Sequence, residues 1–211
     1  MPELPAPAEL LLDLAGVLSR WGGRWFLFGA QAVNVWGSPR LTADVDVTVL
    51  LTPRDPAAFV HDMAHSGFGL RVDDVEEFVA RTSVLPFVHR RTMMPLDVVL
   101  AGSGLEEQFA DRARRVDVGG IEVPVLSPED LLVAKILASR PKDLEDAAGV
   151  LRSRRGSLDL SAVRSLLCQL EEALGQSDLL PALERLIAEG VRSHGARGRT
   201  APRRRPESRE S

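Results

Sequence analysis

The sequence predicts an α+β fold: a core of interleaved helices and strands, then a purely helical C-terminal part. Two observations carry this reading. Up to residue 126, segments with helical spacing of apolar residues exchange with segments of strand character, whereas from Ser127 onward every periodic segment is helical. In addition, Gly119-Gly120 between two short alternating stretches is a strong hairpin signal at the end of the core. The expected organisation is a core over 1–126, a helical subdomain over 127–189 and a disordered basic tail over 190–211.

Taken in order, Ala8 to Arg20 carries Leu10, Leu11, Leu14, Val17 and Leu18 at helical spacing, and Gly22-Gly23 stops it. Trp25 to Phe28 is a short continuous apolar run ahead of Gly29, as a buried strand requires. Ala30 to Trp36 reads as a short helix closed by Gly37-Ser38-Pro39. Asp44 to Leu51 has a strand pattern, Pro56 to His65 is helical, and strands are expected near Val84–Val88 and Leu96–Leu100. Arg115–Val118 and Ile121–Val125 form the hairpin arms.

At 211 residues, 45% hydrophobic and 27% charged, the chain suits one domain with a buried core and a small helical appendage. No apolar run nears the roughly 20 residues of a membrane-spanning helix. Met1-Pro2-Glu3 lacks the basic start of a signal peptide, so a cytoplasmic location without membrane partners is expected. The single cysteine, Cys168, excludes a disulfide framework and a thiolate zinc cluster; set among Leu166, Leu167 and Leu170, it is expected in the core. His61, His65, His89 and His194 lack metal-ligand companions, and the tryptophans are expected to anchor packing around the first strands. The net charge of -4 hides an asymmetry. Residues 190–211 hold seven arginines against Glu207 and Glu210, a tail of +5 on a body of -9. That balance argues against a whole-domain nucleic-acid binder, while the tail has the composition for weak RNA-phosphate contacts or simply for solubility. Lys135 and Lys142 are the only lysines among 26 basic residues, which marks places where a compact ammonium is wanted over a planar fork.

Asp44-Val45-Asp46 is the centre of the functional argument. Residues two apart on a strand project from one face, with Cα atoms roughly 6.5–7 Å apart. Either that face is solvated, or two carboxylates share an otherwise apolar surface and need a cation, since like charges cannot be buried together without cost. Hard oxygen ligands suit Mg²⁺ or Mn²⁺, and two such ions clamp an in-line phosphoryl displacement. Asp97, the only charge within Pro95–Leu100, fits a third carboxylate on a neighbouring strand.

The segment before the acidic pair carries a resemblance. Gly29-Ala30 after a strand, a short helix over Ala32–Trp36, Arg40-Leu41-Thr42 and then Asp44-Val45-Asp46 together resemble the polymerase-beta-like nucleotidyltransferase superfamily. The likeness covers residues 25–51, with Asp97 matching by context, and looks most like the AbiEii-type toxin nucleotidyltransferases; it is also similar to small antibiotic nucleotidyltransferases. It implies a mixed sheet with flanking helices, an NTP co-substrate and two divalent ions held by Asp44, Asp46 and Asp97. It implies Gly29, Ala30, Arg40, Lys135 and Asp143 at the nucleotide. Ala30 departs from the pattern, standing where the family has Gly or Ser and removing a hydroxyl that would meet phosphate.

The helical half supports the resemblance. Ser127-Pro128-Glu129-Asp130 is a helix start, and Leu131–Ala138 is apolar except at Lys135. A lysine on an all-round apolar helix either needs buried anionic partners or extends its stem to solvent. In the resembled toxins a lysine at this place meets the nucleotide phosphates. Arg140-Pro141-Lys142-Asp143-Leu144-Glu145-Asp146 looks like their R-x-K-D-x-x-D segment. Asp143 and Asp146 share a face; they orient Lys135, touch the acceptor, or only favour the helix dipole. Arg40 likewise serves phosphate or an ion pair.

The expected activity is transfer of a nucleoside monophosphate from an NTP to an acceptor hydroxyl. A toxin acting on RNA such as tRNA, with a cognate antitoxin, is the leading reading. An aminoglycoside- or lincosamide-type resistance enzyme and a degenerate, non-catalytic nucleotide binder are the alternatives.

Overall fold

Strand β1 (Arg24–Leu27) and strand β2 (Val45–Leu50) pair antiparallel at the middle of a mixed sheet. The structure, a computed structural model, describes residues 4–51, 55–102 and 104–197. Helix α1 (Ala6–Arg20) precedes β1, and helix α2 (Gly29–Trp36) lies between the two strands. There follow α3 (Pro56–His65), β3 (Phe68–Leu70), α4 (Val75–Thr82), β4 (Val84–His89), β5 (Met94–Leu100), α5 (Gly104–Arg112), β6 (Arg114–Asp117) and β7 (Glu122–Val125). Four helices complete the described chain: α6 (Pro128–Ala138), α7 (Pro141–Ser153), α8 (Leu160–Leu174) and α9 (Leu179–Arg197). The strand order is β3-β4-β5-β2-β1-β7-β6, with β2 and β5 parallel, β1 and β7 parallel and the other pairs antiparallel. This is the α+β architecture expected, with its sheet, flanking helices and helical C-terminal region.

Burial explains why these segments fold as they do. On α1 the five spaced apolar residues are fully inaccessible, and on β2 Val45, Val47 and Val49 are buried between helical layers. The hairpin forms as expected, with Val118 N–H donating to the Ile121 carbonyl at 2.8 Å across Gly119 and Gly120, both in the left-handed region. Trp21 stacks edge-on against Phe59, and Trp36 donates its indole N–H to the Leu126 carbonyl at 2.7 Å. That bond ties α2 to the chain entering α6. Arg154 completes the tie by donating to the Val35 and Trp36 carbonyls at the end of α2.

Three elements were not foreseen: β3, α4 and α5. Helix α4 has a legible start, since Asp74 accepts from the Glu77 N–H, and Val75, Phe78 and Val79 stand at helical spacing; it is only eight residues long and none of them is fully buried. Strand β3 is only three residues long. Two expectations are corrected. Cys168 is exposed on α8; the core-facing positions are Val163 and Leu167, four apart, and the next residue turns roughly 100° away from that stripe. Helix α9 continues to Arg197, so the segment 190–197 is helical rather than disordered, carried on by the helix already formed over Leu179–Glu189. The rest of the basic tail, 198–211, lies outside the described residues, as does His194 in its side chain. His61 and His65 are exposed, their rings 4.3 Å apart, and His89 is buried between Asp13 and Thr92. Among the described residues no helix is long and apolar enough to cross a membrane.

Candidate active site

The β1–α2 turn sets the floor of the site. Gly29 has φ +62°, and a Cβ on it would lie 2.0 Å from Oδ2 of Asp46. Only glycine meets both demands, a left-handed backbone and the close approach of a carboxylate. The Phe28 N–H donates to the Asp46 carbonyl at 3.0 Å, and the Ala30 backbone N–H is hydrogen-bonded to the Asp46 carboxylate. The first N–H groups of α2 thus face a side chain of the protein itself. Ala30 takes part through its backbone, which no side-chain change at that position removes.

Asp44 lies just before β2 and is exposed; Thr42 donates its hydroxyl to Asp44 Oδ1 at 2.6 Å. Asp46 stands two residues further along and half-buried. Asp97 on β5 is its register partner, so the two carboxylates leave adjacent strands on the same side of the sheet. The crowding shows in the ionisation of Asp46. Burial, then the charges of Asp44 and Asp97, push its carboxyl up from 3.8 to about 6, against the opposing pull of Lys135 and the Ala30 N–H.

Opposite the carboxylates stands a wall from the helical half. Lys135, 9% exposed, donates from Nζ to Asp143 Oδ1 at 2.7 Å and to Asp146 Oδ2 at 2.9 Å. It is a buried ammonium held by two carboxylates and does not extend to solvent. Arg140 donates to the other oxygen of Asp143 at 2.7 Å, and Arg40 holds Asp146 with two bonds of 3.2 Å. Burial alone would raise the Asp143 carboxyl, but hydrogen bonds and charge from Lys135 and Arg140 outweigh it and hold it below the usual range. Between the two sides is a cavity of about 360 Å³, bordered by Gly29, Ala30, Asp44 and Asp46 on one side and Arg40, Lys135, Arg140, Lys142 and Asp143 on the other. Leu131, Ala134 and Ala138 give it an apolar wall.

The cavity therefore brings together Gly29, Ala30, Arg40, Asp44, Asp46, Lys135 and Asp143 of the sequence-derived set. Both lysines of the chain border it. Asp97 does not: it lies one strand beyond and is ion-paired with Arg71. Among the described residues no three carboxylates converge into a ready-made metal cage. The pair that does face the cavity fits a divalent ion all the same. Asp44 and Asp46 offer hard oxygens, and their mutual repulsion is what a cation relieves. Arg71 was missed, and no local signal marks it, because it reaches Asp97 from two strands away. Arg140 and Asp146 were visible only as part of a motif, and Lys142 also as one of the two lysines.

The chain matches a family model described as nucleotidyltransferase of unknown function (DUF6036) over residues 24–178. It belongs to that nucleotidyltransferase family. The match spans the sheet, the cavity and most of the helical half. Among solved structures, the crystal structure of ANT(2")-Ia in complex with adenylyl-2"-tobramycin is similar at a TM-score of 0.55 and 13% identity, covering 81% of this chain and 99% of that one. The solution structure of the antibiotic-resistance factor ANT(2'')-Ia gives 0.52 and 14%, covering 79% and 94%. The lincomycin-bound lincosamide antibiotic adenylyltransferase LnuA gives 0.45 and 12%, covering 66% and 93%. The two ANT(2")-Ia likenesses, both above 0.5, show the fold of the family member described here. No curated protein matches the chain in sequence.

Proposed function

We propose that this family member transfers a nucleoside monophosphate from an NTP to an acceptor hydroxyl, with Asp44 and Asp46 holding divalent metal. The observation that carries the reading is the charge arrangement of the cavity. Asp44 and Asp46 on the sheet side face Arg40, Lys135, Arg140 and Lys142, which among the described residues of the site are partly balanced by Asp143 and Asp146. The two charges left over on the cationic side suit a triphosphate, and the two sheet-side carboxylates suit the metal that accompanies it.

Bound Mg²⁺ or Mn²⁺ would supply charge neutralisation of the phosphates. Lys135, pinned by two carboxylates, presents its ammonium without reorganisation, and Lys142 and Arg40 border the same space. The acceptor oxygen bonds to the α-phosphorus as the bond to the bridging oxygen of the β-phosphate breaks, releasing pyrophosphate. In this reading Asp97, the register partner of Asp46 one strand beyond the cavity lining, takes the hydroxyl proton directly or through one water. The apolar wall of Leu131, Ala134 and Ala138 restricts water on one side.

An RNA end is the proposed acceptor, supported by the arginine-rich C-terminal segment, and a toxin paired with an antitoxin is the matching role. A polycationic antibiotic is the second reading. The acidic body favours it, and the solved structure similar in fold carries an adenylylated tobramycin. The test is incubation of the full chain with each α-labelled NTP and Mg²⁺, with total cellular RNA or an aminoglycoside and lincosamide panel. Label moving to RNA supports the first acceptor and label on a small molecule the second. No transfer to either, or transfer undiminished in Asp46→Asn, overturns the proposal.

A further inference from the structure

Arg71 follows β3 at the far side of the sheet, yet its guanidinium ends at the carboxylate cluster. Its backbone N–H donates to the Pro86 carbonyl at 2.9 Å and its Nε to the Phe87 carbonyl at 2.8 Å. Pro86 and Phe87 on β4 are the register partners of Asp97 and Leu96 on β5. The side chain therefore lies across β4, anchored at two points, and its Nη2 pairs with Oδ1 of Asp97. Such anchoring removes much of the entropy cost that makes exposed ion pairs weak. The other cations at the site, Arg40, Lys135, Arg140 and Lys142, come from the helical side and the loop after α2. Arg71 is the cation on the sheet side.

We propose that Arg71 is a resident counter-cation of the site, occupying at Asp97 the place of a divalent ion and directing metal to Asp44 and Asp46. This rests on the metal reading given above and deepens it. Parallel strands are roughly 4.8 Å apart, and the charge of Asp97 is felt at Asp46, so a guanidinium paired with Asp97 offsets that repulsion at its source. With Arg71 in place, Asp97 keeps one oxygen, Oδ2, for the acceptor proton or a shared ligand. The device limits the carboxylate cluster to a net charge that a single divalent ion balances. Without the guanidinium, three carboxylates would compete for cations.

The test is a Mn²⁺ titration of the full chain without nucleotide, at low ionic strength, read by the electron paramagnetic resonance of free Mn²⁺. Arg71→Gln is expected to bind Mn²⁺ about tenfold tighter than the unaltered protein, the size that loss of an adjacent opposite charge produces at a carboxylate. Arg71→Lys, which keeps the charge, should stay within about threefold of the unaltered protein, and Arg71→Gln/Asp97→Asn should return to that range because the pair is removed whole. Equal Mn²⁺ affinity in Arg71→Gln and the unaltered protein overturns the inference while leaving the metal site standing, provided that Asp46→Asn loses binding. If the unaltered protein and Asp46→Asn bind Mn²⁺ alike, or neither binds it, the metal reading falls and the inference with it.

Discussion

Arg40 and Asp146, 106 positions apart in the chain, meet through two hydrogen bonds of 3.2 Å from Nε and Nη2 to the two carboxylate oxygens. The pair fastens the loop leading to Asp44 onto α7, and Arg40 is itself fixed by its backbone N–H on Asn34 Oδ1 at 2.8 Å. Asp146 also accepts from Lys135, so one carboxylate positions both the loop and the buried ammonium.

Arg40→Gln should release that loop without unfolding the protein, because Asp146 keeps Lys135. Amide hydrogen exchange at residues 40–44 is expected to quicken, nucleotide affinity to fall several-fold, and global stability to change by less than about 1 kcal/mol. Unchanged exchange in the loop would show that Arg40 does not position it.

Lys135→Ala leaves Asp143 and Asp146 in the interior without their ammonium. Breaking a buried pair costs about 3–5 kcal/mol, and because Arg140 and Arg40 still hold Asp143 and Asp146 the loss should fall at the lower end, to be read from urea denaturation. Adding Asp146→Asn should restore part of that loss, and nucleotide affinity should remain at least about tenfold reduced in both proteins. Lys135→Arg should be impaired as well, since a planar fork does not fit the place of a point charge held by two carboxylates.

The raised carboxyl of Asp46 makes a prediction with a definite sign. In the folded protein it titrates at about 6, above its ordinary value of 3.8, so between these values the folded state holds more protons than the unfolded one. Stability contributed by Asp46 is therefore present in acid and is lost as pH rises through about 6. In metal-free buffer Asp46→Asn should be more stable than the unaltered protein by about 2 kcal/mol at pH 8, and the two should converge near pH 4. Added Mg²⁺ should raise the melting temperature of the unaltered protein and leave Asp46→Asn unmoved.

Gly29→Ala places a methyl group against the Asp46 carboxylate and forces a left-handed backbone on a residue with a Cβ. A loss of about 1–3 kcal/mol is expected, together with loss of Mn²⁺ binding. Gly16→Ala is the control, since nothing lies within 4 Å of its Cβ position and it sits within α1. It should be neutral or slightly stabilising.

The elements with a local pattern were legible in the sequence: the helical spacing of α1, the alternation of β2, the capped, all-round apolar run of α6 and the glycine turn of the hairpin. So was the acidic pair at Asp44 and Asp46, because a strand's period of two fixes which residues share a face whatever the strand packs against. For Lys135 the sequence left two outcomes open, buried anions or solvent, and offered Asp143 and Asp146 in three roles, one of them orienting it. Only the packing of α7 against α6 and α2 decided that Asp143 and Asp146 balance it and that Arg40 joins them. Likewise, the strand order placed Asp97 beside Asp46, and the crossing of β4 by Arg71 put a guanidinium on it. Spacing along a chain is a local property, set by backbone geometry over a few residues. Which charges neutralise one another depends on distances across the sheet and between helices, and those exist only once the core has closed.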